Sequence, residues 1–180
     1  MIRKPNSKNL VMKEERKHTK TIVQFQSAYQ PEQIWEFLTH PKYAVAFTKD
    51  PCYHNEVDAS FKLEPGNQWT EIHTGEDCEG DVVLCTIIES TINKAFTTVR
   101  HQAGIKNTTL FKLEKNQAGT IITEIQKFSL SGRKIRPINI FSWMMLGTGL
   151  LTKFSFKPED DFYWFEQMEH KLDTVYNSAL

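Results

Sequence analysis

The chain has no net charge to spend on long-range attraction: Lys and Arg total 22 and Asp and Glu total 22 over 180 residues. With no overall field, a polyanion-gathering role is disfavoured, and no nucleic-acid partner is expected. Cysteine is scarce, with Cys52, Cys78 and Cys85 forming an odd set without C-x-x-C spacing. That argues against a secreted disulfide framework and fits reduced thiols in a cytoplasmic protein. Zinc needs paired ligands at two ends, and Cys52-x-His54 is one loose pair, so neither a metal nor a cofactor is expected. There is no G-x-S-x-G elbow and no H-E-x-x-H, while Gly147-Thr148-Gly149 lacks the third glycine and the preceding strand of a phosphate loop. Nucleophilic and nucleotide chemistry are therefore disfavoured. From Met1 to Lys20 there is no apolar h-region; the basic run through Arg3, Lys4, Lys13, Arg16, Lys17 and Lys20 reads as a solvated, flexible segment over 1–18. Repeats and low-complexity linkers are also missing, which leaves one domain over 19–180.

What is present is a strand, then helices, then a long succession of strands. Ile22, Val23, Phe25 and Tyr29 mark a strand over Thr19–Ala28, and Gln30-Pro31-Glu32 opens a helix to about Thr39 with Ile34, Phe37 and Leu38 at helical spacing. Pro41 ends that helix and begins a second short one through Tyr43, Val45 and Phe47. Strands are expected over Tyr53–Leu63, Trp69–Thr74, Asp81–Ser90, Ala95–Gln102, Lys106–Glu114 and Thr120–Leu130, separated by turns such as Pro65-Gly66-Asn67, Asn93-Lys94 and Asn116 to Gly119. Returns this short join antiparallel neighbours. From Pro158 onward, Phe162, Phe165, Met168, Leu172 and Val175 recur three or four apart between charged residues, as a long amphipathic helix requires. Its apolar stripe needs a partner, and the meander offers the one large surface. The expected fold is α+β: about seven antiparallel strands, with two short helices after the first, curved around a C-terminal helix.

Local motifs agree. Ala28-Tyr29-Gln30-Pro31-Glu32-Gln33-Ile34-Trp35-Glu36-Phe37-Leu38, Gly66-x-x-Trp69-x-Glu71, and Ile88-Glu89-Ser90-Thr91 before Asn93-Lys94-Ala95-Phe96 resemble the corresponding stretches of the SRPBCC superfamily, the helix-grip proteins that include START domains and polyketide cyclase/dehydrase-like proteins. The resemblance covers about Thr19 to Ala179. It implies a small hydrophobic ligand, such as a lipid, polyketide or aromatic metabolite, held between sheet and C-terminal helix. It also raises two alternatives: a cyclase- or dehydrase-type enzyme, and an adaptor whose groove binds a protein. Arg136 to Phe156 departs from the resemblance by inserting an apolar segment where the family has a shorter link.

On a half-buried strand Trp69, Glu71 and His73 share one side, because the period is two. Turned inward they would line a pocket, and a buried Glu71 would then need His73, His101, Arg100 or a ligand as partner. Turned outward they would face solvent with Ile72 inside. Either Arg100 or His101 must point in from its strand, and Glu124 and Gln126 are expected inward from the last one. Glu71 and His73 are the candidate acid and base if there is chemistry. Ligand-contacting candidates are Trp69, Glu71, His73, His101, Glu124 and Gln126, with Phe141, Met145 and Phe165 from the region near the C-terminal helix. The segment Ile138 to Phe156 approaches a membrane span in length, but Asn139, Ser142, Thr148, Thr152, Lys153, Ser155 and two glycines interrupt it, so no spanning helix is expected. Four roles remain open for it: a lid, a homodimer contact, a transient membrane contact, or the first half of a kinked C-terminal helix.

Overall fold

The computed structural model describes residues 11–49, 51–76, 80–102, 104–131, 137–150 and 158–177. One antiparallel sheet of eight strands dominates it. These are β1 (Val11–Lys17), β2 (Lys20–Ser27), β3 (Tyr53–Glu56), β4 (Gln68–His73), β5 (Val82–Thr91), β6 (Ala95–Gln102), β7 (Ile105–Asn116) and β8 (Gly119–Leu130). Their spatial order is β1-β2-β8-β7-β6-β5-β4-β3. After β2, helices α1 (Pro31–Thr39) and α2 (Pro41–Ala46) carry the chain to the far edge, and the meander β3 to β8 returns until β8 pairs with β2. Helices α3 (Pro137–Gly147) and α4 (Pro158–Asn177) follow.

Local chemistry explains the boundaries. Pro31 occupies the first turn of α1, and the Gln30 backbone N–H donates to Gln33 Oε1 at 3.0 Å, satisfying a donor that the helix leaves unpaired. At the β5–β6 turn Asn93 adopts φ 60°, a left-handed conformation that Asn tolerates. Gly119 opens β8 at φ +129°, and a Cβ there would run into the backbone of Ser27 and Ala28, so the β7–β8 turn can sit against the end of β2 only because this residue is glycine.

The sheet has one strand more than its sequence pattern suggests. Val11–Lys17 belongs to the stretch expected to be a flexible tail, yet its backbone pairs with β2 from Val11↔Phe25 to Lys17↔Lys20. Its run Lys13-Glu14-Glu15-Arg16-Lys17 masks the strand signal, and such charge suits an edge strand, where it discourages pairing with another chain. The apolar segment 138–156 also resolves differently along its length. Its first part forms α3, which ends with the Gly149 N–H donating to the Leu146 carbonyl at 3.1 Å and Gly149 at φ +72°. Residues 151–157 lie outside the described ones.

The core joins three layers. Phe165, Met168 and Leu172 of α4 are at most 1 % exposed and meet Val23, Phe25, Ile87 and Ile122 of the sheet and Ile34 of α1. Phe25 and Phe165 stack with centroids 4.7 Å apart. Each such side chain contributes about 1.5–3 kcal/mol on burial.

Candidate functional site

On β4 the phase is set by burial: Glu71 and His73 are each 7 % exposed and Gln68 is exposed, which turns Trp69, Glu71 and His73 toward α4. Register then decides their company. Trp69 stands opposite Cys85 and Cys85 opposite Arg100, so one row crosses β4, β5 and β6 on the same face. Arg100 Nη1 donates to Glu71 Oε2 at 3.3 Å, and Arg100 Nη2 donates to Gln102 Oε1 at 3.2 Å. His73 Nε2 lies 4.0 Å from the same Glu71 oxygen. The partner that an inward Glu71 demands is therefore Arg100, with His73 beside it. Burial, reinforced by the Glu71 charge, pushes the Cys85 thiol far above its ordinary range, which makes it inert as a nucleophile. Tyr53 of β3, whose ring lies 5.8 Å from that of His73, has its hydroxyl pKa raised, chiefly by burial.

In front of this row is a cavity of about 440 Å³. Its wall is aromatic on several sides, with Trp69, Phe96 and Phe111 from the sheet and Trp164 and Phe165 from α4. Arg100, Glu124 and Gln126 add polar groups, and Lys49 and Asp160 are among its solvent-exposed residues. Trp164 Nε1 donates to the Ala44 carbonyl at 3.0 Å, tying α4 to α2 at this wall. Trp69 Nε1 is buried and has no hydrogen-bond partner among the described residues. An unmatched buried donor costs about 1–3 kcal/mol, which marks the spot where an acceptor would be welcome.

Glu124 is the other unusual group. It is 8 % exposed, lies between Val23 of β2 and Phe111 of β7, and accepts one hydrogen bond, from Gln126 Nε2 at 2.8 Å. Desolvation raises its pKa to about 7, and the Gln126 bond opposes that only in part. A carboxyl titrating near neutrality in an aromatic cavity can donate or accept a proton there.

Of the residues singled out in the sequence, Trp69, Glu124, Gln126 and Phe165 line this cavity, while Glu71 and His73 sit behind its wall in the ion-paired row. Three candidates need correction. His101 is exposed and Arg100 takes the inward position, because Arg100 shares the phase of Phe96 and Thr98. Phe141 is 55 % exposed on α3 and Met145 is half-buried on the same helix; neither lines the cavity. Phe96, Phe111, His40 and Trp164 went unnoticed as wall residues. For Phe96 the signal was available in the alternation Phe96-x-Thr98-x-Arg100. Among the described residues no three His, Cys, Asp or Glu side chains converge as a metal would require, and no helix is long and apolar enough to cross a membrane. Cys78 lies outside the described residues.

No family model matches the chain, and no curated protein matches it by sequence. Solved structures do resemble it. A protein from Rhodobacter sphaeroides superposes with a TM-score of 0.66 at 12 % identity, covering 91 % of this chain and 98 % of that one. A protein from Nitrosomonas europaea does so with 0.62 at 15 % identity, covering 88 % and 96 %. Ara h 8.0201 gives 0.54 at 14 % identity over 85 % and 96 %. At these identities the likeness shows the fold: α+β, a curved antiparallel sheet gripping a C-terminal helix.

Proposed function

We propose that this chain belongs to the SRPBCC superfamily and binds a small, largely hydrophobic molecule with a polar end in the cavity between sheet and α4. The observation that carries this reading is a space of about 440 Å³ whose wall is aromatic, Trp69 included, and which the buried Glu124 carboxyl also lines. Apolar walls with a few convergent polar groups are the usual form of a small-molecule site, and the volume falls in the common range of about 300–1,000 Å³. Arg100 and Glu71 neutralise each other beside the cavity, so the ligand's polar end needs no full charge. Aromatic metabolites and polyketides, which combine flat apolar area with carbonyl acceptors, suit Trp69 best. Native mass spectrometry of the purified protein, followed by mass analysis of its organic extract, tests this. A bound species of defined mass is expected, and Trp69→Phe, which keeps the wall but deletes the donor, should weaken rebinding by about five- to tenfold. A clean apo mass that persists after incubation with pooled lipids and aromatic metabolites would refute the reading.

One observation favours acid–base chemistry as a second reading, namely the near-neutral Glu124 at the cavity wall. In that case Glu124 moves the proton, while Glu71, paired with Arg100 and flanked by His73, sets the local field. Conversion of the extracted ligand by the native protein but not by Glu124→Gln would establish it.

A further inference from the structure

Helix α3 does not line the cavity, and its composition sets it apart from the other described helices. Its residues, Pro137-Ile138-Asn139-Ile140-Phe141-Ser142-Trp143-Met144-Met145-Leu146-Gly147, include no charge at all. It packs against β8. Leu146 is 6 % exposed, but Ile140, Phe141 and Met144 are 59 %, 55 % and 49 % exposed. Helical geometry puts those three within one arc of about 100°, away from Leu146, so α3 presents a continuous apolar strip to solvent. A helix this apolar that is not buried on its outer side needs a covering.

Charge says what covers it. Between Glu124 and Glu159 the 34 residues from Ile125 to Pro158 contain no Asp or Glu and six Lys or Arg: Lys127, Arg133, Lys134, Arg136, Lys153 and Lys157. Elsewhere 16 basic residues stand against all 22 acidic ones (22 minus 6 is 16), so this one stretch is +6 in a chain whose remainder is −6. The end of the sheet continues the pattern. Just past α3, Gly149 lies so close to the β1–β2 turn that a Cβ on it would approach the His18 ring to 2.8 Å. Beside that turn Lys17, Lys20 and Lys127 are successive partners across β1, β2 and β8. Among the described residues Lys17 is paired to Glu15 at 2.8 Å, Lys20 and Lys127 have no acidic partner, and Lys127 is exposed.

We propose that α3 is a docking element for an anionic lipid surface: the strip of Ile140, Phe141 and Met144 enters the interface while Lys20 and Lys127 meet the headgroups. An apolar face with basic residues beside it is what binds such a surface in plane. Spanning is ruled out for α3 by length, since 11 residues reach about 16 Å, half of a hydrocarbon core. A nucleic-acid partner would leave the apolar strip uncovered.

The test is flotation of the full chain with phosphatidylcholine vesicles, with and without about 30 % phosphatidylserine. Binding to the anionic vesicles is expected, declining as salt is raised. The variant Ile140→Ser/Phe141→Ser/Met144→Ser should lose at least about tenfold in partitioning with an unchanged circular dichroism spectrum. Lys20→Gln/Lys127→Gln, which leaves the strip intact, should lose roughly tenfold on anionic vesicles and nothing on neutral ones. Absence of flotation with anionic vesicles would overturn the proposal, and so would equal flotation of the lysine variant. Light scattering that shows a dimer dissolved by the serine variant would assign the strip to a second copy of this chain and overturn it as well. The outcome is independent of whether the cavity holds a ligand.

Discussion

Replacing Glu124 by glutamine should make the protein more stable at pH 8 and leave it unchanged at pH 4. The carboxyl is 8 % exposed and desolvation raises its pKa from 4.5 to about 7. Because the folded pKa exceeds the unfolded one, the folded chain holds this proton more tightly. The resulting stabilisation is complete below 4.5 and is lost as pH climbs through about 7. At 1.36 kcal/mol per pH unit, the gap from 4.5 to 7 corresponds to about 3 kcal/mol. Glutamine keeps an oxygen for the Gln126 amide, now at 2.8 Å from the carboxylate, and carries no charge to desolvate. Urea unfolding of both proteins at pH 4, 6 and 8 should therefore give midpoints that coincide at the lowest pH and diverge upward, and the melting temperature of the variant at pH 8 should be higher by about 6–12 °C. Glu169 also titrates near 7, since burial outweighs its bond from Ser27, but it is common to both proteins and cancels in the difference. A stability difference that is the same at pH 4 and pH 8 would refute the burial argument for Glu124.

Two further substitutions probe the frame that holds the cavity. Phe165→Ala, which deletes the ring stacked on Phe25, should cost about 3–5 kcal/mol in chemical denaturation; a loss below about 1 kcal/mol would mean that α4 is not gripped as described. Gly119→Ala drives a Cβ into the backbone of Ser27 and Ala28 at a positive φ, so a loss of several kcal/mol is expected, and a melting temperature within a degree of the parent would contradict the close approach of the β7–β8 turn to β2.

Much of the frame was legible because it depends on local signals. Pro31 and Pro41 punctuate α1 and α2, Asn93-Lys94 and Asn116 to Gly119 close hairpins, and Phe165, Met168 and Leu172 keep helical spacing. The architecture follows, since a meander with no other apolar partner must take the final helix. Edge strand β1 was illegible for the opposite reason: an edge tolerates charge on both faces, so its alternation is absent. At Arg100 and His101 the residues themselves carry no phase, as both are long and polar, and only the wider pattern with Phe96 decides which one is inside. For α3, apolarity signals burial without saying against what, and Phe141 and Met145 do not reach the cavity that their apolarity suggests. Glu71 posed the subtlest case. Its inward phase could be argued, but its engagement by Arg100 depends on the β4–β5–β6 register, which no stretch of sequence states.

The pairing of β2 with β8 sets the order in which this domain can assemble. Lys20 faces Lys127 and Ser27 faces Thr120, so the two strands joined here are about a hundred residues apart. The hairpins β3–β4 through β7–β8 need only near neighbours, whereas β2 must wait for a partner that arrives last in the sheet. Docking of the β1–β2 hairpin is then the expected slow step of folding. Until it happens β8 presents an unpaired edge carrying Ile122 and Glu124, and a chain caught at that stage is open to pairing with another copy of itself.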